Sequence, residues 1–225
     1  MRIIFFGDSL TEGVYGGNYI KTIQKLLPEH EIINKGVGGD TTLNLLERLE
    51  SILALEPDLV YVMVGGNDAI SYCQPKTRQY YRQSKAVPEG MIDIDVFERA
   101  YRDLLTQLQA HHILVLAGFA PIEHNTTLID TMRGYSQVAQ KITKALNIPF
   151  LDLSMNFKPD TLPERDPLGM HTILTIGSRT AKRWKDYETE RQKEGFTFTF
   201  DGLHLTNESA EKMGEIIAAF IKENI

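Results

Sequence analysis

The chain has 225 residues, 42% of them hydrophobic and 24% charged, with a formal net charge of −6 at pH 7. These proportions suit one sizeable folded core and exclude wholesale disorder, while the acidic balance excludes the basic face that nucleic-acid binding needs. A single cysteine, Cys73, excludes an intramolecular disulfide, and no apolar run approaches the roughly 20 residues of a membrane helix.

In chain order, Arg2–Phe6 reads as a short buried strand. Tyr19, Ile20, Ile23, Leu26 and Leu27 then recur at helical spacing and stop at Pro28. Glu31–Asn34 is a weaker second strand. A helix striped by Leu43, Leu46, Leu49, Ile52 and Leu53 starts near Asp40 and ends before Pro57, with Asp40 and Thr41 as its caps. Leu59–Val64 is continuous, β-branched and bounded by Gly65 and Gly66, the strongest strand pattern in the sequence. Asp95–Ala110 is an amphipathic helix, Ile113–Ala117 a strand, Gly134–Leu146 a helix and Pro149–Leu153 a fifth strand. Ser178–Lys193 reads as a helix stopped by Gly195. "FTFTF" (Phe196–Phe200) alternates like a half-buried strand. The last helix runs from about Asn207, striped by Ala210, Met213, Ile217 and Phe220.

Apolar strands separated by helices imply a parallel sheet covered on both faces. Residues 71–90 and 156–200 do not fit the alternation, so the expected organisation is one domain over residues 1–225 with two insertions. The lone thiol suits a reducing compartment and the amino terminus has no leader pattern, so the expected location is cytoplasmic.

Ligands of an open parallel sheet bind outside the carboxyl ends of its strands. "GDSL" follows the first strand, "NKGVGGDTT" (Asn34–Thr42) the second and "GGND" (Gly65–Asp68) the third, and "DGLH" (Asp201–His204) precedes the last helix. The same rule sorts the histidines. His30, His111 and His112 precede strands and belong at the opposite edge. His124 follows a strand, His171 lies in the long insertion, and His204 has Asp201 three residues upstream.

Ser9 is either a helix cap or a nucleophile. A serine hydroxyl attacks only when an imidazole takes its proton, and a carboxylate on the other ring nitrogen fixes the tautomer. His204 and Asp201 supply those groups. The resulting oxyanion needs preorganised donors, for which the Ser9 N–H, a glycine such as Gly39 and the Asn67 amide are available.

The four segments, in this order from Gly7 to His204, resemble the four sequence blocks of the GDSL-type (SGNH) esterase and lipase family. The resemblance implies the flavodoxin-like SGNH hydrolase fold, a three-layer α/β/α sandwich around a parallel sheet of about five strands. It also implies Ser9 as nucleophile, His204 as base, Asp201 as its orienting acid, and Ser9, Gly39 and Asn67 as oxyanion hole. Gly38 rivals Gly39 by one position. Asp8, Gly38, Asp68 and His124 are further candidates for touching substrate, although Asp8 also suits a turn anchor and Asp68 a brace for the Asn67 loop.

The expected activity is metal-independent and cofactor-free hydrolysis of a small carboxylic ester. An acetyl or other small acyl ester of a sugar or similar molecule is favoured over a lysophospholipid or thioester. A catalytically retired binding module is the non-enzymatic alternative. A two-metal phosphoesterase would need further Asp and His ligands. No Lys-Ser or Lys-Thr makes a P-loop after Gly13, and Gly7–Thr11 lacks the second glycine of the GxSxG elbow.

Overall fold

Strands β1 (Arg2–Gly7), β2 (Glu31–Gly36), β3 (Leu59–Met63), β4 (Leu114–Phe119) and β5 (Phe150–Asp152) form one sheet in a computed structural model that describes residues 1–162 and 164–225. Every pairing is parallel and the order is β2-β1-β3-β4-β5. Side-chain alternation divides the apolar strands between two cores. Ile4, Phe6, Val60 and Val62 face one core, and Ile3, Phe5, Leu59 and Tyr61 face the other. Both faces are covered, which is why these strands are apolar throughout.

The chain continues through α1 (Ser9–Glu12), α2 (Tyr19–Leu26), α3 (Thr42–Glu47), α4 (Glu50–Leu53), α5 (Gly66–Cys73) and α6 (Arg78–Ser84). It closes with α7 (Ile94–Ala110), α8 (Thr126–Ala145), α9 (Met170–Ala181), α10 (Tyr187–Glu194) and α11 (Asn207–Glu223). Helices α2 and α11 pack together on the face of Ile3 and Phe5, and α7 and α8 cover the opposite face. The result is an α/β/α sandwich. Strand order reverses between β1 and β3, so the loops after them diverge and leave a crevice at the carboxyl edge.

Several elements differ from their sequence patterns. The helix expected from Asp40 to Pro57 is broken at Arg48–Leu49, where the Arg48 guanidinium reaches back to Asp40 and to the Gly7 carbonyl. Thr41 is the N-cap of α3, and Asp40 is an ion-pair partner rather than a cap. Helix α8 begins eight residues before Gly134, because the Asn125 side chain accepts the Leu128 N–H at 2.9 Å and starts it there.

The single helix expected over Ser178–Lys193 is two helices, α9 and α10. They are parted where Arg183 takes φ +53° and Trp184 turns into an aromatic cluster with Tyr15, Tyr187 and Phe200. Gly195 ends α10 in the left-handed conformation, as its position suggested.

"FTFTF" is not a strand; it forms one antiparallel bridge, Thr199 with Leu205. Its donors go instead to a single buried carboxylate. Glu123 accepts the N–H groups of Thr197 (2.9 Å), Phe198 (2.7 Å) and Thr199, and the Thr199 hydroxyl at 2.8 Å. Thr199 Oγ1 in turn accepts the Gly202 N–H at 3.0 Å, and the Glu123 N–H is donated to the Gly202 carbonyl. Glu123 therefore acts as the template for the loop that carries Asp201 and His204.

Glu123→Ala would strand the buried N–H groups of Phe198 and Thr199, each costing about 1–3 kcal/mol when unsatisfied, and the part-buried one of Thr197. The expected loss is about 3 kcal/mol or more of unfolding free energy, read from the denaturant midpoint. Glu123→Gln, which keeps one acceptor oxygen, should lose less.

Candidate active site

The carboxyl edge of β1 delivers Ser9. Gly7 ends the strand where a Cβ would lie 2.3 Å from Thr11 Oγ1 and 2.5 Å from the Met63 carbonyl oxygen, so only glycine allows the sharp entry into α1. Asp8 caps that helix, its Oδ1 accepting the Leu10 N–H at 3.1 Å. The cap role considered for Ser9 thus belongs to its neighbour. The half-buried Ser9 hydroxyl instead lies 3.1 Å from His204 Nε2.

The other ring nitrogen, His204 Nδ1, is 2.8 Å from Asp201 Oδ2. Asp201 Oδ1 accepts the N–H groups of Leu203 (2.9 Å) and His204 (2.7 Å), so one carboxylate shapes the turn and aims the ring. Tyr15 packs edge-on to the imidazole with ring centres 5.0 Å apart, and the Phe200 ring lies tilted to it at 6.2 Å. Burial acts to raise the Asp201 carboxyl, but the His204 charge and the hydrogen bonds it accepts hold it below its ordinary value. Burial likewise acts to lower His204; the charge and hydrogen bond of Asp201 outweigh it, with help from Asp8 and Glu12, and raise the imidazole above 6.5.

Three further groups close around Ser9. The Asp40 N–H returns to the Val37 carbonyl, making a tight turn over Gly38 and Gly39. Gly39 has φ +77°, the left-handed geometry a type II turn requires at its third position. A Cβ there would also lie 2.1 Å from Tyr80 Oη. Asp40, buried below this turn, is paired with Arg48 Nε and Lys85 Nζ, both at 2.8 Å. Arg48 also donates to the Gly7 carbonyl at 3.0 Å, tying the β1 and β2 loops together.

From the first turn of α5, just after β3, Asn67 Nδ2 donates to the Asp40 carbonyl at 3.0 Å and to Asp8 Oδ2 at 3.3 Å. Its Oδ1 accepts the Tyr81 hydroxyl at 2.8 Å, which fixes the face of the amide turned toward Ser9. Burial, only partly offset by the Leu10 N–H, pushes the Asp8 carboxyl up to about 6.

Ser9, Gly38, Gly39, Asn67 and His204 open onto one cavity of about 280 Å³. Asp8 also lines it. Asp68 and His124 do not, and they correct the sequence reading of substrate contacts. Asp68 is buried with both oxygens 3.1 Å from the Thr42 N–H, bracing the start of α3, and burial lifts it to about 7. His124 packs against Gly202, where a Cβ would lie 2.7 Å from its Cδ2, and burial, with Arg165 nearby, lowers it to about 4. His30, His111 and His112 lie at the opposite edge, ahead of β2 and β4, as expected, and His171 is exposed on α9. Arg48, Lys85 and Glu123 were not singled out from sequence. A buried carboxylate and two cations brought together by folding leave no local pattern to read.

The sequence profile of the family described as GDSL-like lipase/acylhydrolase matches residues 5–210. An acetylxylan esterase of Geobacillus stearothermophilus is 28% identical over 179 residues, covering 69% of this chain and 77% of that protein. An arylesterase of Vibrio mimicus is 38% identical over 84 residues, covering 33% of this chain and 42% of that protein. Among solved structures, an acetyl xylan esterase superposes with a TM-score of 0.65 at 22% identity over the full length of both chains. An acylhydrolase-like protein from Bacteroides fragilis gives 0.65 at 19% identity over 100% of this chain and 88% of that one. At such identities these two share the fold. No helix among the described residues is long and apolar enough to cross a membrane.

The two buried histidines should titrate far apart. By NMR, the His204 ring is expected above the ordinary 6.5 and His124 near 4. Asp201→Asn should lower the His204 value, where Asp201 acts through both charge and a hydrogen bond, and lower that of His124, where it acts through charge alone, by less.

Proposed function

Belonging to the GDSL-like lipase/acylhydrolase family, the chain is a carboxylic ester hydrolase, and we propose that it works as a serine hydrolase through an acyl-enzyme at Ser9. The observation that carries this reading is the relay from Asp201 to His204 to Ser9, at 2.8 and 3.1 Å, opening onto the cavity. His204 Nε2 takes the Ser9 proton as Oγ bonds to the ester carbonyl carbon. The oxyanion is held by the N–H groups of Ser9 and Gly39 and by Asn67 Nδ2, whose long bond to Asp8 is the one given up. The carbon–alkoxy bond then breaks, and the imidazolium returns the proton to the departing alcohol. Water, deprotonated by His204, attacks the acyl-enzyme, and Ser9 leaves with that proton as the carboxylic acid is released.

Tyr81 is a positioning residue in this scheme. Its hydroxyl needs an acceptor, Asn67 Oδ1 is that acceptor, and the NH₂ end is thereby kept toward the oxyanion. The substrate is a small-molecule ester. An acetylated sugar, favoured from sequence, is the kind of ester named for the Geobacillus stearothermophilus relative.

Ser9→Ala and His204→Ala should each lower kcat by roughly 10⁴-fold or more with the fold intact by circular dichroism, and Asp201→Ala should retain more activity. Half of wild-type kcat in Ser9→Ala would overturn the assignment. Because the base must be neutral, kcat/KM should fall as pH drops through the raised His204 value, placing the acid limb above 6.5. Tyr81→Phe should cost about tenfold in kcat with KM little changed, since a misaimed donor is missed chiefly in the transition state.

A further inference from the structure

The walls of the cavity are a different chemistry from its floor. The polar groups Asp8, Ser9, Asn67 and His204 gather at the carboxyl edge of the sheet. Beyond them the lining is largely apolar, with Ile70, Met132, Leu168, Ile173, Ile176 and Leu203 drawn from α5, α8, α9 and two loops, although Glu12, Thr77 and Thr180 also reach it. Ile70 stands one helical turn after Asn67, so the apolar wall begins next to the oxyanion donor.

Helix α9 has its apolar face turned to this space. Thr172, Ile173, Ile176, Gly177 and Thr180 recur at the spacing of one helical face and all line the cavity. No residue of α9 is fully buried, and Leu174, on its other side, is 65% exposed. The helix is therefore a partial cover whose apolar face still has surface to lose to a ligand. At about 280 Å³ the space approaches the roughly 300–1,000 Å³ of pockets that enclose whole small ligands. An acetyl methyl would leave most of that wall uncovered.

The chemistry of the site directs which half of an ester goes there. The alcohol oxygen must lie within reach of His204 Nε2 to receive its proton, and the carbonyl oxygen must lie on Asn67. The acyl substituent then points away from His204, past Asn67 toward Ile70 and Met132. On the serine-hydrolase reading above, we propose that the cavity is an acyl pocket and that the substrate is an ester of an apolar acid longer than acetic acid. Ile173 and Ile176 of α9 set its reach.

A p-nitrophenyl ester series from acetate through butyrate and hexanoate to octanoate tests this, alongside acetylated xylose and acetates of lengthening alcohols. The expected result is a rise in kcat/KM on the order of fourfold per acyl methylene until the pocket is full, and no comparable rise along the alcohol series. Ile173→Trp should cut the hexanoate-to-acetate ratio at least tenfold, and Ile176→Ala should move the optimum to a longer chain. A flat or falling acyl series with Ser9-dependent acetate hydrolysis intact overturns the acyl pocket alone. Acetylated xylose outpacing hexanoate, or a rise confined to the alcohol series, does the same. If hydrolysis persists in Ser9→Ala across the series, the serine reading falls and the acyl pocket falls with it.

Discussion

The side-chain amide of Asn67 joins three loops that leave three different strands. It donates to Asp8 after β1 and to the Asp40 carbonyl after β2, and it stands itself in the first turn of α5, directly after β3. Its oxygen is held by Tyr81 from α6. A parallel sheet only brings such loops to one edge; it does not fix their spacing to the fraction of an ångström that acyl transfer requires. The amide does that, and Arg48 repeats the tie below it by bonding both the Gly7 carbonyl and Asp40. Removing any one loop from this arrangement would leave the other two unpaired polar groups at the floor of an otherwise apolar cavity.

The site is also a study in how differently a fold can treat its buried carboxylates. Asp8 and Asp68 receive only N–H donors, so burial dominates and lifts them to about 6 and about 7. The folded protein holds their protons more tightly than the unfolded chain does. They therefore oppose folding increasingly as pH rises from the ordinary carboxylate range through those values. Asp201, which has an imidazole beside it, goes the other way: its contribution is present at neutral pH and is lost as acid titrates it. His204, raised by the same contact, favours folding fully below 6.5 and loses that contribution as pH climbs through its folded value. Stability and the availability of a neutral base are thus set against each other at the same pair.

What was legible in the sequence is what is local. Strands β1, β3 and β4 are nearly continuous apolar runs, and the segments carrying Ser9, Gly39, Asn67, Asp201 and His204 each sit at an element boundary marked by glycine. Their meeting at one edge follows from the rule for parallel sheets, without any long-range information. What was illegible depends on partners distant in sequence. "FTFTF" has the alternation of a strand, yet its donors are taken by Glu123, 74 or more residues away. Helix α9 has a mixed composition that reads as insertion, because its apolar face is met by a cavity and not by a core. The aromatic residues of residues 71–90 split in the same way: Tyr80 and Tyr81 line the cavity, while Tyr72 is exposed. Nothing in their immediate neighbours distinguishes them.

Ser9 and His204 lie 195 positions apart, the first just after the interior strand β1 and the second just before α11. On the ribosome, chains emerge and begin to fold from the amino-terminal end. Ser9, the Gly39 turn and Asn67 are therefore all outside the exit tunnel while His204 has yet to be translated, and on the proposed mechanism their serine has no base until then. The later loop, templated by a glutamate already in place, is the one that completes the relay proposed above.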